Sequence, residues 1–204
     1  NKKKFYGGNT SFFVIISQIY AFFFNYQVKF YRKILNRIRE EVDITQYKRV
    51  LDLGCGTGAL LYVLQDLGIE VVGVDPSSGM LKQAGRKLEG TEVELIKISP
   101  SERLPFDDDS FDLVISSYVL HGLKPKEREK LYKELCRVSK GKIIFHDYNE
   151  NRSLVTDIAE FLENGDYFNF IKIAKSEMEK YFKDVRVVDV DKKAAWYILK
   201  HCNI

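Results

Sequence analysis

The chain has 204 residues, 45% of them hydrophobic and 30% charged, with a formal net charge of +3; this is ordinary globular composition, enough for one sizeable core. So small a net charge gives nucleic acid no support as a partner. Three cysteines, Cys55, Cys136 and Cys202, odd in number and far apart, argue against a disulfide framework and against a zinc site with paired ligands, and suit a reducing cytoplasm.

The N-terminal region up to Arg49 is basic: Lys29, Arg32, Lys33, Arg37 and Arg39 face only Glu40, Glu41 and Asp43 as counter-charges after the opening lysines. Solvated cations on a helix face are the ordinary explanation. The stretch Phe12 to Phe24 is apolar and aromatic, but Ser17 and Gln18 interrupt it. It falls short of the ~20 residues that span a bilayer, and no small-residue cleavage site of a signal peptide follows. From Phe13, apolar residues Ile16, Tyr20, Phe23, Phe24, Tyr31, Ile34, Leu35 and Ile38 recur at three- and four-residue steps, the spacing of one long amphipathic helix or two short ones. Its stripe either packs on the edge of the main domain or forms a lid over a substrate pocket.

Beyond residue 47, short apolar runs alternate with helical periodicity, the pattern of parallel strands joined by crossover helices. Strands are expected at Arg49 to Leu53, Ile69 to Val74, Val93 to Ile98, Phe111 to Ser116 and Lys142 to His146. Helices are expected at Ala59 to Leu67, stopped by Gly68; after a cap at Ser77 or Ser78; and from Pro125, with Leu131, Leu135 and Val138 turned inward. Ser153 to Leu162 reads as helix, Asn164 to Ile173 as an aromatic connection and Lys175 to Phe182 as a last helix. Val185 to Val190 and Ala194 to Leu199, joined through Asp191, Lys192 and Lys193, read as an antiparallel hairpin. The fold class is α/β: a Rossmann-like doubly wound sheet with five parallel strands, a C-terminal antiparallel hairpin and an N-terminal helical cap. A single domain is expected, with residues 1–46 as the cap, 47–147 as the cofactor-binding core and 148–204 as a substrate-side segment with the hairpin.

The chemistry concentrates where the first strand ends. Asp52-Leu53-Gly54-Cys55-Gly56-Thr57-Gly58 puts glycines where backbone must approach a ligand closely and leaves amides exposed at a helix N-terminus. Val71-Val72-Gly73-Val74-Asp75 ends a second strand in a carboxylate roughly 20 residues after the loop, the offset at which an acid reaches ribose hydroxyls. The spacing Gly54-x-Gly56-x-Gly58 departs from the Gly-x-Gly-x-x-Gly of dinucleotide sites, so no pyrophosphate is implied.

With the run Glu102 to Asp112 and with Val119-Leu120-His121, these blocks resemble the class I S-adenosylmethionine-dependent methyltransferases, within them the type-11 small-molecule methyltransferase domain, over roughly Tyr47 to Asp147. The resemblance implies a strand order 3-2-1-4-5-7-6 and S-adenosylmethionine as cofactor. It places Asp52, Gly54 and Gly56 along the methionine moiety, Asp75 on both ribose hydroxyls, Met80 against adenine, Ser101 and Glu102 at the adenine edge, Ser116 and Ser117 beside the sulfonium, and Tyr20 folded over the cofactor. One departure stands out: Pro100-Ser101-Glu102 replaces the family's Asp-Ala-Glu, removing a carboxylate that accepts from the adenine amino group.

Methyl transfer from a sulfonium is an in-line displacement, so positioning in a dry pocket can supply much of the catalysis. A hydroxyl acceptor needs a base, and His121, His146 and nearby Asp147 lie at strand ends; structural histidines are the alternative. Ser116-Ser117-Tyr118-Val119 stands where amino-methylating enzymes carry Asn/Asp-Pro-Pro-Tyr, and no Pro-Cys offers a nucleophile for cytosine, so a small-molecule acceptor is expected rather than nucleic acid. Phe12, Tyr20, Phe24 and Tyr26 on one side, and Tyr148, Tyr167, Phe168 and Phe170 on the other, either wall an acceptor pocket or pack in the core. No metal is expected. The alternative function is a noncatalytic cofactor- or partner-binding module on the same fold.

Overall fold

The computed structural model describes residues 23–99, 103–149 and 166–203, and these form two compact units that divide at Arg103.

In the first unit, α1 (Phe24–Arg37) buries Phe24, Val28, Ile34 and Leu35 along one stripe and packs on α2 (Ala59–Asp66). Phe24 meets Tyr62 edge-on at 5.9 Å between ring centroids, so this aromatic belongs to core packing. Tyr26 is exposed, as are Lys29, Lys33 and Arg37, which fits the solvated-face reading of the basic segment. Residues 13–22 of the expected helix lie outside the described residues.

Strands β1 (Arg49–Leu53), β2 (Glu70–Asp75) and β3 (Glu94–Lys97) run parallel, with Val50 opposite Val71 and Val72 opposite Glu94. The apolar runs of β1 and β2 are buried on both faces, as central parallel strands require. In α3 (Ser78–Lys87), the Ser77 hydroxyl accepts the Met80 amide at 3.3 Å, the expected N-cap.

Glycines 58 and 68 both have φ near +80° but for different reasons. Gly68 ends α2, and a Cβ there would meet nothing within 4 Å. At Gly58 a Cβ would lie 2.8 Å from Leu88 Cδ1 and 3.2 Å from Ala84 Cβ, so this glycine lets α3 close on the loop. Gly68→Ala is expected to cost roughly 1–2 kcal/mol from backbone strain, and Gly58→Ala about 1–3 kcal/mol more from overpacking. Urea unfolding of the two variants measures the difference; equal losses would mean that Leu88 and Ala84 yield.

The second unit holds β4 (Phe111–Ser117), α4 (Pro125–Val138), β5 (Ser139–Tyr148), α5 (Tyr167–Met178), β6 (Phe182–Asp191) and β7 (Ala194–Cys202). β4 and β5 are parallel; β7 is antiparallel to β5 and to β6. The strand order is β3-β2-β1-β4-β5-β7-β6, the expected Rossmann-like arrangement with its hairpin edge.

Three expectations are corrected here. Residues read as an aromatic connection and a later helix form α5 instead: Tyr167, Phe170, Ile171, Ala174 and Met178 make its buried stripe, and Phe182 opens β6. On α4 the stripe is Arg128, Tyr132, Leu135 and Val138, with Leu131 only half-buried, because the buried Glu177 and the half-buried Asp166 neutralise and satisfy Arg128. Cys136 and Cys202 are disulfide-bonded, with Cα atoms 6.0 Å apart across 66 residues of sequence; the fold brings α4 to the end of β7, which spacing along the chain could not show. Cys55 is the buried free thiol. Among the described residues no helix is long and apolar enough to cross a membrane, and no acid, His and Cys cluster could hold a metal ion.

Candidate functional site

The glycine loop of the first unit is shaped by two strand ends. Gly54, Gly56 and Gly58 all adopt positive φ, which only glycine does cheaply. The Gly54 and Cys55 amides both donate to the Val74 carbonyl, at 2.8 and 3.1 Å, fastening the loop to β2. The Gly56 amide donates to Asp75 Oδ2 at 3.0 Å and the Ser77 amide to Asp75 Oδ1 at 2.7 Å. Asp75 thus ties the loop to the entry of α3 through its own carboxylate. A Cβ on Gly56 would meet nothing within 4 Å, so this part of the loop is open to a ligand where Gly58 is packed.

Asp52 and Asp75 are 2% and 7% exposed. Burial, and then the neighbouring Asp75 charge, push Asp52 up to about 8. Burial also raises Asp75, against the opposing hydrogen bonds from Ser77 and Gly56. Asp52 Oδ1 is buried and has no hydrogen-bond partner among the described residues, which is costly for a carboxylate. Two buried carboxylates with one unmatched acceptor fit a ligand that brings N–H or O–H donors and positive charge. S-adenosylmethionine carries both, in its α-ammonium and ribose hydroxyls. Asp52, Gly54, Gly56, Asp75 and the half-buried Met80 therefore gather in one unit as a loop, two strand ends and the first turn of a helix.

The raised pKa of Asp52 has a consequence for stability. A group whose folded pKa exceeds its unfolded value stabilises fully below the unfolded pKa and loses that contribution as pH rises through the folded one. Burial depresses His146 from 6.5 to about 4, which acts in the opposite direction but only between those two values. The window from about 6.5 to 8 therefore excludes His146 and leaves the raised aspartates, Asp52 foremost, and the ligand-free protein is expected to melt at a falling temperature as pH rises across it. Asp52→Asn should flatten that slope; an unchanged slope would remove Asp52 as its source.

In the second unit, β4 delivers Ser116, buried, and Ser117, half-buried, at its C-terminal end. A 3-10 turn, Leu120–Gly122, follows and carries His121. His121 Nδ1 lies 2.7 Å from Asp147 Oδ1, while Asp147 Oδ2 accepts the amides of Leu120 and His121 at 2.9 and 3.3 Å. The carboxylate takes the Nδ1–H, so Nε2 is the basic nitrogen. Rings of Tyr148 at 4.8 Å and of Tyr118 and Tyr167, both at 6.4 Å, surround the imidazole. Tyr118 is exposed and held at φ 55°. His146 points into the core from β5, fully buried, with its ring against Tyr118 at 4.8 Å and Trp196 at 6.3 Å. Phe170 is core, covered by the Arg128 guanidinium at 5.2 Å.

Sequence reasoning passed over one feature, a buried ionic cluster. Arg128 Nε and Nη2 donate to the two oxygens of Glu177, each at 2.7 Å, and the Tyr132 hydroxyl donates to Glu177 Oε1 at 2.9 Å. Its traces in the sequence are charges at stripe positions, Arg128 on α4 and Glu177 on α5. Tyr20, Ser101 and Glu102, with Pro100, lie outside the described residues.

A family model described as a methyltransferase domain matches residues 50–142. An uncharacterized methyltransferase of Staphylococcus carnosus is 27% identical over 159 residues, covering 76% of this chain and 72% of the relative. A demethylmenaquinone methyltransferase of Clavibacter sepedonicus is 40% identical over 105 residues, covering 50% and 42%. Among solved structures, the PH0226 protein of Pyrococcus horikoshii superposes with a TM-score of 0.62 at 26% identity, over 75% of this chain and 81% of that one. With the glycine loop, the acidic end of β2 and the strand order in agreement, these similarities support a class I S-adenosylmethionine-dependent methyltransferase with S-adenosylmethionine as its cofactor.

Proposed function

We propose that this methyltransferase acts on a small molecule bearing a hydroxyl group, with His121 as general base. The observation that carries the reading is the 2.7 Å contact of His121 Nδ1 with a buried Asp147. Bound S-adenosylmethionine supplies an electrophilic methyl group on a sulfonium. Asp52 accepts from the α-ammonium, the Gly54 and Gly56 backbone lines the methionine chain, Asp75 accepts from the ribose hydroxyls and Met80 covers adenine. Ser101, Glu102, Ser116, Ser117 and Tyr20 complete the set on family resemblance alone.

As the acceptor oxygen forms its bond to the methyl carbon, the carbon–sulfur bond breaks with its electron pair going to sulfur to leave S-adenosylhomocysteine, the acceptor proton passes to His121 Nε2, and Asp147 stabilises the resulting imidazolium. His146 takes no proton in this scheme, since burial holds it neutral with a pKa of about 4. The tyrosine rings around His121 supply apolar, polarisable walls that suit a planar or hydrophobic acceptor.

The test is a screen of hydroxylated small molecules for S-adenosylmethionine-dependent release of S-adenosylhomocysteine. Turnover that rises with pH and disappears in His121→Ala supports the reading. Cofactor binding with no turnover on any acceptor would favour the noncatalytic module, for which the Pro100 departure is the specific support.

A further inference from the structure

The buried cluster around Arg128 reaches the turn that carries His121. Arg128 sits on α4, 0% exposed, where a guanidinium is tolerated only if its charge and donors are matched. Four of its contacts are seen. Nε and Nη2 take both oxygens of Glu177 on α5. Nη1 donates to the Leu123 carbonyl and pairs with Asp166 Oδ2 at 2.9 Å. Leu123 is two residues past His121, and its own amide closes the turn on the Leu120 carbonyl at 3.0 Å. Asp166, just before α5, donates its backbone amide to the His121 carbonyl at 3.0 Å.

The backbone of His121 is therefore gripped from two sides. From β5, Asp147 holds the imidazole and the amides of residues 120 and 121. From α4, one guanidinium holds the carbonyl that follows the turn and the residue whose amide holds the His121 carbonyl itself. We infer that Arg128, with Glu177 and Asp166, is a positioning group that fixes the His121 turn so that Nδ1 stays directed at Asp147 and Nε2 is the basic nitrogen. Glu177 and the Tyr132 hydroxyl orient the guanidinium and carry no chemistry themselves. Lysine cannot replace Arg128, because a single ammonium cannot span two carboxylates and a carbonyl in fixed directions. The inference rests on the assignment of His121 as base.

Nitrogen-15 NMR of the imidazoles tests it without an acceptor. His121→Asn assigns the signals, and His201, exposed at the far end of β7, is the internal control. In the wild-type protein His121 is expected as the single Nδ1–H tautomer. Arg128→Lys should turn it into a tautomer mixture with a shifted titration midpoint, while His201 is unmoved. Asp166→Asn, at a half-buried position that leaves the backbone amide in place, should move the signals in the same direction by less, and it carries the test alone if Arg128→Lys does not fold. A group of merely structural importance would lower the melting temperature and leave the tautomer intact. Asp147→Asn separates the two claims. If it changes the tautomer while a folded Arg128→Lys, or in its place Asp166→Asn, does not, the positioning role is overturned and the base assignment survives. If Asp147→Asn also changes nothing, the base assignment falls and the inference with it.

Discussion

Replacing His121 by alanine is expected to lower kcat by about 10²- to 10⁴-fold, the range typical of a lost general base, with S-adenosylhomocysteine affinity unchanged within twofold. Asp147→Asn should produce a loss of similar order for a different reason. The amide can present its NH₂ to Nδ1 and stabilise the opposite tautomer, leaving Nε2 protonated and unable to accept. Because Asp147 also accepts the Leu120 and His121 amides, alanine at 147 would confound chemistry with loss of the turn, and asparagine is the sharper variant. A double variant that loses no more than His121→Ala would show that the pair acts as one unit. If neither substitution moves kcat once an acceptor is in hand, the acceptor ionises without help from this dyad.

Asp75→Ala is expected to weaken S-adenosylhomocysteine binding by at least about 100-fold, detected by equilibrium dialysis. Part of that loss is direct, since charge-assisted hydrogen bonds to ribose contribute roughly 1.5–3 kcal/mol. The rest is indirect. Both oxygens already hold backbone, Gly56 at 3.0 Å and Ser77 at 2.7 Å, so removing the carboxylate frees the loop as well as the ligand. Asp75→Asn keeps one acceptor and should fall between wild type and alanine. A Gly56→Ala variant offers a check from the other side, because it puts a methyl group on the open face of the loop and leaves Asp75 untouched. Equal affinity in wild type and Asp75→Ala would place the ribose elsewhere.

What the sequence disclosed follows from how local each signal is. The glycine loop, the placement of Asp75 at a strand end and the Ser77 cap were legible because each local geometry is set by a few consecutive residues between apolar runs. The strands of the core were legible to within a few residues for the same reason. α5 was misread although Tyr167, Phe170, Ile171, Ala174 and Met178 stand at helical steps; its aromatic richness was read as a connection, and packing overrode the weak propensity of aromatic residues for helix. Partnerships across sequence stayed hidden. Arg128 and Glu177 are 49 residues apart, and Cys136 and Cys202 are 66 apart. His121 and Asp147 were each legible as polar residues near strand ends, but their pairing across 26 positions needed the fold, and so did the separation of His121 from the core histidine His146.

The most direct measurement is a calorimetric titration of the purified wild-type protein with S-adenosylhomocysteine at pH 7, run in two buffers of different ionisation heat. Saturable one-site binding is expected, with heats that differ between the buffers because the ammonium of the ligand draws Asp52 into its ionised form and a proton is released. No saturable heat in either buffer at millimolar ligand would contradict the assignment of the glycine loop and its two aspartates as the cofactor site.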